Sequence, residues 1–262
     1  MNLRRDIPFM SEATSVRIGN IWVQAREVEK TVARYAHQVF CLPDGVDYYA
    51  LRGTASALRY KNNCALFVCR HQYRDFPADR VMIAEDEGAK NLISGSTLIT
   101  VTPETHNKDE EILDVSAMRY EPKNYSKPNL ESRFFPIIES DLWKGNADAN
   151  FFCYGYPFEH VKMKIDKEDG KLQAIDVRKV FTSAKYAGKS AAQNTHRIEM
   201  TRLTEWDSNG MSGGPVFHIG QDSQGFFVGF AGIITRGSPS SDFLHIVDAN
   251  FLLKVLKQMG GR

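Results

Sequence analysis

The nine residues 209–217, Asn-Gly-Met-Ser-Gly-Gly-Pro-Val-Phe, constrain this chain more than any other stretch. Glycines flank a single serine, Ser212, and only glycine reaches positive φ without strain and leaves no Cβ beside a bound molecule. The segment therefore predicts a tight turn that presents a hydroxyl. A serine hydroxyl is a weak nucleophile until a base takes its proton and fixed N–H donors face the oxyanion formed on attack at a carbonyl. The N–H groups of Gly210 and Ser212 supply those donors if the turn points both inward. Pro215, Val216 and Phe217 return the chain to an extended run. That context argues against a Gly-x-Ser-x-Gly elbow, which opens a helix and needs its acid and histidine later in the chain.

The remaining patterns are mostly strand-like. Residues 1–15 show no period and predict a surface arm. Ile18, Asn20 and Trp22 alternate, whereas Val28, Val32, Tyr35, Ala36 and Val39 recur at helical spacing, which predicts a helix over 26–40 packed outside the core. Two apolar runs, 53–58 and 64–69, flank Asn62-Asn63 as a hairpin does, and the second runs into Arg70-His71. A strand is expected over 93–101 and a polar loop over 103–111. Residues 112–118 place Asp114 inside an apolar strand, a costly position unless the carboxylate is paired.

Residues 119–149 are polar and broken by Pro122, Pro128 and Pro136, as in a crossing between two lobes. Strands resume at 150–157, and a second hairpin turns at Asp169-Gly170. A polar loop is expected over 185–195. After the Ser212 turn come apolar runs at 225–235 and 243–247. Asp248 then caps an amphipathic helix carrying Phe251, Leu252, Val255 and Leu256 on one face, with Gly260 as its stop. These divisions give an N-terminal arm and helix (1–47), a first lobe (48–130), and a second lobe with crossing segment and terminal helix (131–262).

Candidate partners for Ser212 follow from these contexts. His71 sits at a strand end, and by position alone it reads equally as an ordinary surface histidine; His37 and His196 are the alternative bases. Asp114 is the candidate acid, with Asp109 behind it. A metal site from Cys64, Cys69 and His71 matches no zinc spacing, and alternation puts the two cysteines on opposite strand faces. No metal is expected.

Gly-x-Ser-Gly-Gly-Pro at 210–215, the strand leading to His71, and the Asp-aliphatic-Ser/Ala run at 114–117 together resemble chymotrypsin-like (trypsin-fold) serine proteases. The order His71, Asp114, Ser212 is that of this group, and the resemblance covers roughly 48–258. It implies an all-β fold of two packed antiparallel six-stranded β-barrels, here with an N-terminal and a C-terminal helix. It further implies a serine endopeptidase that needs no cofactor and acts on protein or peptide substrates. Ser212 would be nucleophile, His71 base and Asp114 its orienting acid, with Gly210 and Ser212 forming the oxyanion hole. Trp206, Thr235, Arg236 and Gly237 would line the substrate pocket, Trp206 at its floor favouring an uncharged residue before the cut, and Thr235 would support the aspartate. Cys69 and Arg70 depart from the small or polar residues usual before the histidine. Met211 departs from the aspartate that, in the digestive branch, pairs with an amine released by clipping. The resemblance therefore points to an intracellular, non-zymogen branch in which regulation works by loop ordering through an activating partner or substrate. Two rivals remain: a catalytically silent protein-binding module on the same fold, and an esterase using the same triad.

Composition narrows the rest. A chain of 262 residues with 42% hydrophobic content buries a full core. A net charge of +1 gives no field drawing it to nucleic acid or anionic membrane. No apolar h-region opens the chain, and its longest apolar run, 226–234, is too short to span a bilayer. Cys41, Cys64, Cys69 and Cys153 lie in apolar contexts, which predicts reduced thiols and a cytoplasmic location.

Overall fold

The computed structural model describes residues 14–45, 48–84, 92–100, 114–121, 130–165, 172–192, 194–201, 207–238 and 241–259. The first half holds β1 (Ser15–Ile18), β2 (Ile21–Gln24), α1 (Ala25–Ala33), β3 (Ala36–Cys41), β4 (Ala50–Tyr60), β5 (Asn63–Cys69), β6 (Val81–Ala84), β7 (Leu92–Ser94), β8 (Thr97–Thr100) and β9 (Val115–Tyr120). The second half holds β10 (Phe135–Pro136), β11 (Asn150–Gly155), β12 (Val161–Ile165), β13 (Leu172–Val177), β14 (Val180–Lys189), β15 (Thr195–Met200), β16 (Pro215–Asp222), β17 (Gly225–Ser238), β18 (Ser241–Asp248) and α2 (Ala249–Met259).

These strands make two lobes. In the second, β16, β11, β14, β15, β18 and β17 pair in that order, and β16 pairs again with β17, closing a six-stranded barrel. In the first, β7-β6-β3-β4-β5-β9-β8 form an open path, a half-barrel among the described residues. The resemblance led us to expect two packed β-barrels with a helix near each end, and that architecture is present, the first barrel being a half-barrel among the described residues.

Three local expectations fail for one reason. The helix predicted over 26–40 stops at Ala33, and Ala36–Cys41 is β3, paired with β4 on one side and β6 on the other. Apolar residues at Tyr35, Ala36 and Val39 fit a helical face, but pairing on two sides satisfies far more backbone. The loop expected over 185–195 is instead largely strand, because β14 runs to Lys189 against β15. The strand expected over 93–101 is split at Gly95-Ser96 into β7 and β8. In each case pairing with a neighbouring strand, which the local pattern does not show, decides the conformation. The loop predicted at 103–111 lies outside the described residues.

The seam between lobes is apolar. Phe217 on β16 lies 5.0 Å, ring to ring, from Phe135 in the crossing segment, and Phe135 lies 5.3 Å edge-on from Tyr35. Val115 and Ala117 from β9 join the same buried cluster as Phe230, Ile233 and Leu252. The last residue of the Ser212 motif thus anchors the lobe interface. At the opposite end of the chain β1 lies parallel to β17, burying Val16 and Ile18 completely. Arg17 between them forks onto Asp141 at 2.7 and 3.2 Å and also reaches Asp222 at 2.8 Å. Asp248 caps α2 as expected, accepting from the Phe251 N–H at 2.9 Å.

This pairing generates a contrast between two carboxylates. Asp141 is buried and Asp222 is 37% exposed in its side chain. Asp141→Ala should cost about 2–3 kcal/mol, because it removes the buried two-pronged partner and leaves Arg17 with the exposed Asp222 alone, and Asp222→Ala less than about 1 kcal/mol. Urea denaturation midpoints at unchanged slope measure both; equal costs would contradict the assignment.

Candidate active site

Burial explains how the site is built, beginning with two hydroxyls in the middle of an apolar strand. Thr54 and Ser56 on β4 are both fully buried, and such groups need partners. They find them across the lobe interface, in the loop that carries Ser212. Thr54 Oγ1 donates to the Gly210 carbonyl at 2.7 Å and accepts from the Tyr156 N–H at 2.9 Å. Ser56 Oγ donates to the Gly213 carbonyl at 2.7 Å. The Ser212 carbonyl accepts from the Thr54 N–H at 3.2 Å and from Gln72 Nε2 at 2.7 Å.

The rest of the loop is spent as fully. The Asn209 carbonyl accepts from Phe158, Met211 from Gly214, and Gly214 from Ile234, at 2.8–2.9 Å. The Asn209 N–H donates to Asp207, Met211 to the Ser208 carbonyl, and Gly213 to the Ile234 carbonyl. Two donors are left. Among the described residues neither the Gly210 nor the Ser212 N–H gives a hydrogen bond within the protein. All peptide bonds here are trans, so each of these N–H groups points away from the carbonyl before it, one held by Phe158 and the other by Gly214. Gly210 and Gly213 hold φ of +97° and +81°. A Cβ on either would overlap a backbone carbonyl, that of Tyr156 or of Thr54, so sterics as well as φ demand glycine.

His71 lies just past the end of β5, and Asp114 immediately precedes β9, paired antiparallel to it. The Asp114 carboxylate receives two bonds from one residue: the His71 backbone N–H at 2.9 Å and ring Nδ1 at 2.6 Å. Its own carbonyl accepts from the Arg70 N–H at 2.5 Å. This fixes the ring so that Nε2 is the nitrogen left for other work. The His71 side chain is 47% exposed and that of Asp114 21%.

A cleft of about 490 Å³ brings the three residues together, with Arg70, His71, Arg74 and Asp114 on the first-lobe side. Ser208, Ser212 and the β17 stretch at Thr235, Arg236 and Gly237 line the other side. Ser212 Oγ donates to the Thr235 carbonyl at 3.2 Å. The nucleophile candidate thus rests on β17. The Thr235 hydroxyl, expected to support the aspartate, instead donates to the His245 carbonyl at 3.3 Å. Trp206 and Asp109 lie outside the described residues.

Other candidates are occupied elsewhere. His37 is buried against Arg133, its Nε2 on the Arg133 carbonyl and its Nδ1 facing that guanidinium; burial first, then the positive charge of Arg133, holds its pKa well below the usual imidazole value. His196 is wedged beside Trp143, near Tyr186 and Asp248. All four cysteines are buried and unbridged. Burial pushes the Cys41 thiol up to about 11 and Cys64 to about 12, so neither is a nucleophile at neutral pH. Met211 is fully buried in the core of the second barrel.

Sequence reading missed Thr54, Ser56 and Gln72. The signal was present as two hydroxyls at alternate positions of an apolar strand, but their partners lie about 156 residues away.

No family model and no curated protein matches this chain. Among solved structures it is similar to a thermostable serine protease from an extremophilic microorganism, at 14% identity and a TM-score of 0.53, covering 88% of this chain and all of that one. It is similar also to an inactivated protease paralogue of the scabies mite, at 10% identity and a TM-score of 0.53, covering 87% and 96%. These likenesses establish the fold, and one neighbour of each kind shows that the fold alone does not decide activity. No helix among the described residues is long and apolar enough to cross a membrane.

Two substitutions separate the scaffold from the cleft. Thr54→Val keeps shape but strands the Gly210 carbonyl and the Tyr156 N–H from their Thr54 partner, each costing about 1–3 kcal/mol, so a loss of about 2–6 kcal/mol is expected in chemical denaturation. Ser212→Ala removes one hydroxyl bonded to a carbonyl at a partly open site and should change stability by no more than about 1 kcal/mol. A neutral Thr54→Val would mean that the lobe-to-loop bonds hold nothing in place.

Proposed function

We propose that this protein is a serine endopeptidase that hydrolyses peptide bonds through a covalent acyl-enzyme. The observation that carries the reading is the loop in which every carbonyl from Ser208 to Gly214 is occupied while, of the N–H groups from Asn209 to Gly214, those of Gly210 and Ser212 stay uncommitted among the described residues. Two adjacent donors beside a serine hydroxyl suit the oxyanion of a tetrahedral intermediate. The paired His71 and Asp114 supply a base whose tautomer is fixed.

In this mechanism Ser212 Oγ leaves the Thr235 carbonyl, gives its proton to His71 Nε2 and attacks the substrate carbonyl. The oxyanion takes the Gly210 and Ser212 N–H groups. Asp114 stabilises the imidazolium, which returns its proton to the departing amine; water then repeats the cycle on the ester. Arg70, Arg74 and Arg236 lie on the cleft walls.

A silent binding module is the second reading, favoured by the resting bond of Ser212 to Thr235. A fluorophosphonate probe separates the two. Under the enzyme reading it labels the wild-type chain at Ser212, and Ser212→Ala and His71→Ala each lose about 10⁶-fold in peptide hydrolysis, with Asp114→Asn losing less. More than about a hundredth of the activity retained in folded Ser212→Ala would refute the nucleophile. Loss in His37→Ala with retention in His71→Ala would refute the base. Hydrolysis of small esters with no cleavage in a peptide library would move the assignment to esterase.

Met211 also bears on activation. Its thioether, sunk in the barrel core, offers no charge to a freshly cut amine. The uncut chain should therefore react with the probe as fast as a version cut before Val16. A large gain on cutting would contradict this, and silence of both folded forms would point to an outside activator.

A further inference from the structure

Cys69 is the residue by which the sequence departs most conspicuously from its resemblance, and the structure puts its sulfur in company that the sequence spacing hid. The thiol is completely buried, donates to the Ile234 carbonyl at 3.5 Å and lies 4.0 Å from that of Thr235. Its Sγ, the ring nitrogen of His71 and a carboxylate oxygen of Asp114 all lie within 4.8 Å of one another. Cys64, the other cysteine of β5, packs on the opposite face of the strand among Leu66 and Val68, so the trio replaces it with Asp114.

We infer that Cys69, His71 and Asp114 form a binding site for a thiophilic divalent cation such as Zn²⁺, in which the ion takes the place of the proton between His71 and Asp114. The donors are one sulfur, one imidazole nitrogen and one carboxylate, the set that borderline-soft cations select over Mg²⁺ or Ca²⁺. Bond lengths of about 2.0–2.3 Å in a tetrahedron place ligand atoms about 3.4–3.6 Å apart. The trio lies close to that span: no two ligand atoms are more than 4.8 Å apart, so the sulfur has to draw in by at most about 1.2–1.4 Å, while the 2.6 Å bond between His71 Nδ1 and Asp114 opens by about 0.8 Å. The charges balance, since one thiolate and one carboxylate neutralise a dication. The cation enters as one proton leaves: Cys69 releases its proton to solvent, and the His71 proton moves from Nδ1 to Nε2, so the ring stays neutral. Burial and the Asp114 charge hold the free thiol protonated; a coordinating cation reverses that balance outright. The exposed side of His71 and Asp114 leaves the fourth position to water from the cleft.

The consequence, which rests on the protease reading, is reversible inhibition. A cation on Nδ1 removes the carboxylate's hold on the ring and leaves the proton on Nε2, which then has no lone pair to take the Ser212 proton. The cluster is thus a metal-operated off state within the dyad itself.

The test uses the full chain with Zn²⁺ and Cd²⁺ as probes. Calorimetry should give one Zn²⁺ per chain, and Cd²⁺ should raise the ultraviolet charge-transfer band of a cadmium thiolate. Cys69→Ala should weaken Zn²⁺ binding by more than about 100-fold, beyond the about 10–100-fold of an outer partner, and should abolish the band while Cys41, Cys64 and Cys153 remain. Cys69→Ser serves the same purpose if the alanine variant is unstable. Zn²⁺ should block fluorophosphonate labelling in the wild type, a chelator should restore it, and Cys69→Ala should be insensitive at the same concentration. Equal Zn²⁺ affinity in both chains, or no thiolate band, would overturn the site. A one-to-one thiolate band in a chain that never labels, with or without Zn²⁺, would support the metal site and refute the protease reading instead.

Discussion

Everything at this site depends on buried carbonyls finding donors across the lobe interface. A loop that turns as tightly as residues 208–214 exposes many peptide groups over few residues, and burial obliges nearly all of them to be paired. The first lobe meets that demand with the hydroxyls of Thr54 and Ser56, the Thr54 amide and the Gln72 carboxamide. The first lobe thereby fixes the Gly210, Ser212 and Gly213 carbonyls, while those of Asn209 and Met211, which precede the two free amides, are held within the second lobe by the Phe158 and Gly214 N–H groups, so those amides are turned the other way. The two uncommitted N–H groups are therefore a by-product of satisfying their neighbours, and they cost no reorganisation when a charge appears before them.

The same interface sets the base. The His71 backbone and ring both bond to one carboxylate, so orientation of the imidazole is inherited from the antiparallel pairing of β5 with β9. Ser212 is the mobile member of the group. Its hydroxyl rests on a β17 carbonyl, a bond worth about 0.5–1.5 kcal/mol, small enough for a bound chain to displace by offering its own N–H to that strand. Under the proposed reading, fixed donors, an oriented base and a lightly held nucleophile would divide the labour of acyl transfer.

How much of this could be read from the sequence divides along one line. Features fixed by neighbours in the chain were legible: the glycine turn around Ser212, His71 at a strand end, Asp114 as a costly carboxylate, Asp248 as a helix cap. Features fixed by distant partners were not. Ala36–Cys41 continues a helical pattern yet is a strand because β4 and β6 flank it. Thr54 and Ser56 look like ordinary small strand residues until the loop 156 residues later is laid against them. Thr235 was expected to hold the aspartate, and a bulge between Ile234 and Arg236 in the β17–β18 pairing accompanies the turn of its hydroxyl to His245. Cys69 looked like a departure from the pattern, and its nearness to Asp114, a carboxylate 45 residues downstream, was not visible.

The central claim is that the uncut chain holds a ready oxyanion site beside a releasable Ser212. A structure of that chain with a peptidyl boronate tests it most directly. The account predicts a bond from boron to Ser212 Oγ, loss of the contact with the Thr235 carbonyl, and one boronate oxygen about 2.7–3.1 Å from both the Gly210 and Ser212 nitrogens. A boronate bound elsewhere, or a 209–210 peptide flipped so that its carbonyl faces the adduct, would contradict it.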